Sequence, residues 1–111
     1  MSQTMCKPWG SEFIWAATDK YVGKILYIRA GRRLSMQYHK VKDETVMLIN
    51  GQAMIETIAG EYPLSKHSPL HIPPGATHRI RAITDSEILE VSTSELDDVV
   101  RLEDDYNRAE Q

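Results

Sequence analysis

With 111 residues, 41% of them hydrophobic, the chain has material for one modest core and is read as a single domain over residues 1–111. Thirteen Lys and Arg stand against 16 Asp and Glu, and a net charge of only -3 argues against a dedicated nucleic-acid or membrane-surface binder while leaving open a small ligand held by local charges. Apolar runs such as 46–49 are far too short to span a bilayer, no charged segment followed by an apolar one opens the chain, and the single Cys6 has no second thiol for a disulfide or a thiolate zinc site, so the expected location is the cytoplasm.

In chain order, short runs alternating apolar and polar residues predict antiparallel strands over 23–29, 34–39, 44–49, 52–58, 69–72, 77–83 and 86–92. Between them lie Ala30-Gly31-Arg32, Asn50-Gly51, Ala59-Gly60-Glu61, Pro73-Pro74-Gly75 and Thr84-Asp85-Ser86, which supply Gly, Pro, Asn or Asp where the chain must reverse. Asn50-Gly51 reads as a type I′ hairpin, since both residues tolerate positive φ. The expected fold class is all-β, a small sandwich or a jelly-roll barrel that leaves few exposed edges. From Ser94, the run Ser94-Glu95-Leu96-Asp97-Asp98 ahead of Val99, Val100 and Leu102 predicts a short, capped, acidic helical or irregular segment.

The chemistry concentrates between Gly31 and Gly51, where Gln37, His39 and Glu44 stand at intervals of two and five residues. On a strand, residues i and i+2 share a face, so Gln37 and His39 project together; the turn over 40–43 then returns Glu44 to the same cavity. His78, after Pro73-Pro74-Gly75, supplies a fourth candidate from a distant strand. An amide oxygen, two imidazoles and a carboxylate suit one divalent ion, Zn first, with Mn, Fe, Co or Ni also accommodated, and leave positions open for water or substrate oxygen. Each of these residues alone reads as an ordinary surface or hydrogen-bonded side chain; the set, with turn glycines at both ends, reads as a metal site. His71 reads as a satisfied strand residue, His67 as exposed and Cys6 as a bystander.

These residues resemble the cupin superfamily: Gly31-x5-Gln37-x-His39-x4-Glu44-x6-Gly51 matches its first motif, with Gln37 in place of the first histidine, and Pro73-Pro74-Gly75-Ala76-Thr77-His78 matches its second. The glutamine, Leu34 to His39, and Arg79 after His78 make the chain similar to the cupin domain of type II phosphomannose isomerases. Lys7-Pro8-Trp9-Gly10 and the stretch from Asp97 to Arg108 match that family's opening and closing segments, so the likeness covers nearly the whole chain. Two departures stand out: Lys40 and Val41 replace further histidines, and Ala30 replaces a proline. Such domains often follow a sugar-nucleotide pyrophosphorylase domain, for which this sequence has neither the length nor the Gly-rich loop.

The resemblance implies a metal-dependent isomerase that takes a small sugar phosphate, interconverting mannose 6-phosphate and fructose 6-phosphate through an enediol. Lys24, which matches a lysine of the family, and Arg79 are then the cations nominated to hold phosphate or steady the developing oxyanion. Strict alternation from His78 nevertheless turns Arg79 to the opposite face. Ser35 shares a face with Gln37. Glu44, Glu56, Glu90 and His71 stand as possible general bases, with Glu44 the poorest because coordination occupies its charge. Arg101 and Arg108 suggest a lid or a dimer contact, and a barrel this small is expected to pair as a homodimer. Another cupin enzyme, an epimerase or oxygenase, and a non-catalytic sugar-binding module are the competing readings.

Overall fold

The computed structural model describes residues 3–108, and every regular element among them is a strand. These are β1 (Gln3–Lys7), β2 (Gly10–Ala17), β3 (Val22–Ile28), β4 (Met36–Tyr38), β5 (Glu44–Asn50), β6 (Ala53–Thr57), β7 (Gly60–Pro63), β8 (Leu70–Ile72), β9 (His78–Ala82), β10 (Ser86–Ser92) and β11 (Val100–Glu103). They form two sheets with antiparallel neighbours, one in the order β1-β2-β3-β10-β5-β8 and one in the order β11-β4-β9-β6-β7. Facing each other, the sheets make a jelly-roll barrel, and among the described residues no helix is long and apolar enough to cross a membrane.

Alternation decides what fills the barrel. Along β5 and β10 every second residue is buried, and the register stacks these inward positions into rows. One row is Leu26, Ile88 and Leu48; the next is Lys24, Glu90 and Val46; the third is Val22, Ser92 and Glu44. From the other sheet Ile55 sits opposite Ile80 and Ala53 opposite Ala82, closing the apolar end, while Thr57 sits opposite His78. The inner surface therefore changes from apolar to charged over two rows, and the site lies at the charged end.

Two expectations are corrected and one is narrowed. Asn50-Gly51 does not close a hairpin: β5 and β6 belong to different sheets, and only Gly51 has positive φ, at 90°. The turn instead carries the chain across the barrel, so close to the β9–β10 turn that a Cβ on Gly51 would lie 2.3 Å from the Asp85 carbonyl oxygen. Of the two forms expected for the acidic tail, helical or irregular, the irregular one is found. Its residues 94–99 are irregular, and β11 then completes the edge beside β4, because hydrogen bonding to an open edge outweighs the weak propensity of so short a segment. Finally, β1 and β2 form a hairpin on the other sheet that alternation did not predict. In β2 an inward Glu12 and a register shift between Ile14 and Ala16 break the period.

Candidate metal centre

Gln37 lies on β4, His39 immediately beyond it, Glu44 at the start of β5 and His78 at the start of β9, with Gln37 and His78 opposite each other in the ladder. The loop joining β4 to β5 is held by one residue from the acidic tail. The Asp98 carboxylate accepts the backbone N–H groups of Lys40 (3.0 Å), Val41 (2.7 Å) and Lys42 (2.9 Å), and the Asp98 carbonyl accepts the His39 Nδ1 proton at 2.5 Å. These three N–H donors hold the Asp98 carboxyl down at about 2. His78 Nδ1 donates to the Ala76 carbonyl at 2.8 Å.

These bonds fix the tautomers. A ring nitrogen facing a carbonyl must carry the proton, so the Nε2 atoms of both histidines present lone pairs. Both point to the same carboxylate oxygen: Glu44 Oε1 is 2.9 Å from His39 Nε2 and 3.4 Å from His78 Nε2. His39, Glu44 and His78 are each only 4% exposed, their ligand atoms lie within 4.8 Å of one another, and His39 Nε2 has no hydrogen-bond partner among the described residues. Three electron-rich atoms converging in a buried pocket repel one another unless a cation stands between them. A divalent ion meets that need with ligands of the kind transition metals take.

Protons compete for the same gap. Burial lowers the affinity of His39 for a proton, but Glu44 and the Asp98 carbonyl outweigh it, and its pKa is raised. Burial likewise pushes Glu44 up, and the bonds from His39 and His78 with the charge of Lys42 overcome it, keeping this carboxyl ionised well below the usual carboxylate range.

Beside His39 and Glu44 opens a cavity of about 300 Å³, also lined by Gln37, Ser35, Lys24, Glu12, Lys42 and Glu90. This size is on the scale of a small-molecule pocket. Ser35 donates to Gln37 Oε1 at 2.9 Å, fixing the amide. Lys24 Nζ is 2.7 Å from Glu12 Oε1; Lys42 Nζ is 3.3 Å from Glu90 Oε2 and 3.8 Å from Glu44 Oε2. Burial, and after it the charge of Glu44, pushes the Glu90 carboxyl up to about 7.

Other nominated residues lie elsewhere. Arg79 is not in the cavity: alternation from His78 puts it on the outer face of its sheet, 3.6 Å from both Glu56 and Glu103. Glu56 is there with it. His71 is exposed and bonded to Asp43 at 2.6 Å, so of the possible bases outside the ligand set only Glu90 lines the cavity. Glu12, Lys42, Asp98 and Arg101 were not singled out for the site. Lys42 alone carried a local signal, standing two residues before Glu44, whereas the others reach the site from β2, the tail and β11.

Among known proteins, the family described as mannose-6-phosphate isomerase C-terminal matches residues 1–104. The chain is 33% identical over 114 residues to the mannose-1-phosphate guanylyltransferase ManC of Salmonella typhimurium, across 97% of this chain and 24% of that protein. It thus spans about a quarter of the length of the curated relatives it matches. Among solved structures, KdgF from Halomonas sp. superposes with a TM-score of 0.77 at 18% identity, over 87% of this chain and 90% of that one. A sugar phosphate isomerase of the cupin superfamily from Silicibacter pomeroyi superposes with a TM-score of 0.68 at 21% identity, over 75% and 58%. At these identities the structural likeness establishes the cupin barrel.

Proposed function

The chain belongs to the mannose-6-phosphate isomerase C-terminal family, and we propose that it is a metal-dependent aldose–ketose isomerase interconverting mannose 6-phosphate and fructose 6-phosphate through an enediol. The observation that carries this reading is the convergence of two imidazole lone pairs on one ionised carboxylate at the edge of a cavity lined by buried Lys–Glu pairs. His39, Glu44 and His78 would hold the ion, zinc first, with the Gln37 amide as fourth ligand. When bound, the metal supplies the electrophile that polarises the substrate carbonyl.

The chain's own groups do the rest. Lys24, steadied by Glu12, donates a hydrogen bond to a substrate oxygen as negative charge develops on it. Glu90 lines the cavity without belonging to the ligand set, and it moves the proton between adjacent carbons. Lys42 orients the Glu90 carboxylate through its 3.3 Å contact. Trp9, Leu26 and Leu34 form part of the wall and keep bulk water from the reacting carbons.

The test is metal analysis of the purified protein followed by incubation with mannose 6-phosphate in deuterated water. Deuterium entering carbon 2 of the sugar, with fructose 6-phosphate accumulating, is the expected outcome. Stoichiometric metal with neither exchange nor isomerisation defeats the isomerase reading.

A further inference from the structure

The cations around the cavity are matched by acids, with one exception. Lys24 is matched by Glu12, Lys42 by Glu90 and Glu44, and Arg108 by Asp104 at 2.8 Å. Arg101 lines the same cavity from β11, and among the described residues it forms no ion pair and its buried Nε has no hydrogen-bond partner. Its orientation follows from the ladder: Arg101 is the cross-strand partner of Gln37, and such partners share a face of the sheet, here the inner one. The irregularity between Arg101 and Glu103 falls just beyond it, the kind of feature that re-aims a side chain at an edge. A guanidinium that lines a cavity and has no acid paired with it among the described residues is poised for an anion. Its planar fork matches two oxygens of a phosphate monoester, which a lysine does not reproduce.

We propose that Arg101 seats the anionic group of the substrate, a phosphate monoester borne by the sugar at a distance from the reacting carbonyl, and thereby selects phosphorylated over free sugars. This assignment rests on the isomerase reading for the identity of the sugar and not for the anion subsite itself. It moves the phosphate-holding role from Arg79, which faces the opposite side of the sheet, to the far end of the chain. Because Lys24 and Lys42 are already bonded to carboxylates, they orient groups near the metal and are not released to grip a phosphate.

The test uses the full chain, zinc-loaded and metal-stripped, titrated with inorganic phosphate in a calorimeter. Wild type is expected to bind phosphate in both forms, with Arg101→Gln weakening binding by about tenfold or more and Arg101→Lys recovering only part of the loss. In the isomerase assay Arg101→Gln is expected to raise KM for mannose 6-phosphate by about tenfold or more with kcat within about threefold. Unaltered phosphate affinity in Arg101→Gln, or no phosphate binding by wild type, overturns the proposal. If Arg101→Gln fails to fold, Arg101→Lys decides: phosphate affinity equal to wild type counts against the fork, and a loss of threefold or so supports it. Phosphate binding that depends on Arg101 in a protein without isomerase activity sinks the isomerase reading and leaves the subsite standing; isomerisation with an unchanged KM in Arg101→Gln does the reverse.

Discussion

The two ends of the barrel interior are built on the same strands and hold opposite chemistry. Leu26, Ile88 and Leu48 form one row across β3, β10 and β5; a single step along the inward face, Lys24, Glu90 and Val46 form the next, and beyond it stands Glu44. The apolar end gains its stability by excluding water. At the polar end the same backbone holds two lysines and three glutamates in or near burial, a costly arrangement unless each charge is matched. The barrel thus keeps stability at one end and places its ionisable groups at the other, where a metal and a substrate would complete the balance.

The largest expected effect that separates the ends comes from His39→Ala. Losing one of three convergent ligands should abolish stoichiometric metal and lower isomerase turnover by about 10³-fold or more, with the fold retained by circular dichroism. Ile88→Ala should do the opposite: a fully buried side chain removed from the apolar end costs about 2–5 kcal/mol in urea unfolding while metal stoichiometry stays unchanged. Comparable metal loss in both variants would erase the division. Glu90→Gln sharpens the polar end further. It should keep the metal and reduce deuterium exchange into mannose 6-phosphate by about 10²-fold, the scale of a lost proton-transfer group.

Smaller still is the effect of the tail. Asp98→Ala removes the carboxylate that holds the loop over 40–42 and so loosens the segment whose backbone carbonyl orients the His39 Nδ1 proton, and a weakening of zinc affinity of about tenfold is expected from competition with a chelator. Its pH signature has a definite sign. The folded-state pKa of Asp98, about 2, lies below its ordinary value of 3.8. The contribution is therefore complete above about pH 4 and fades as pH falls toward 2. Acid titration of the metal-stripped protein should show a loss of stability in that window that Asp98→Ala lacks.

How much of this was legible in the sequence follows from how far apart the interacting residues lie. Strands β3, β5, β6, β9 and β10 alternate cleanly and were visible, because each has a neighbour on both sides and one face in the core. His39 and Glu44 flank one short loop, and His78 follows a Pro-Pro-Gly turn, so their convergence showed in local spacing. Other strands were not visible. β2 hides its alternation behind the inward Glu12, and β11 becomes a strand because β4 offers it an edge. Arg101 and Asp98 reach the site from some sixty residues beyond Gln37 and His39, contacts that no local pattern encodes. Arg79 shows the converse: the chemistry of an arginine after His78 suggested the cavity, and the period of the strand, which put it outside, was the better guide.

On this account His39, Glu44 and His78 converge on one ion through imidazole Nε2 atoms that the backbone contacts at Nδ1 turn toward the gap. Calorimetric titration of the metal-stripped protein with zinc, repeated in buffers of different ionisation enthalpy, tests it most directly. One equivalent bound with release of protons, as the ion displaces the proton shared by His39 and Glu44, is the predicted result. No saturable binding, or one equivalent bound as tightly by His39→Ala as by wild type, would contradict it.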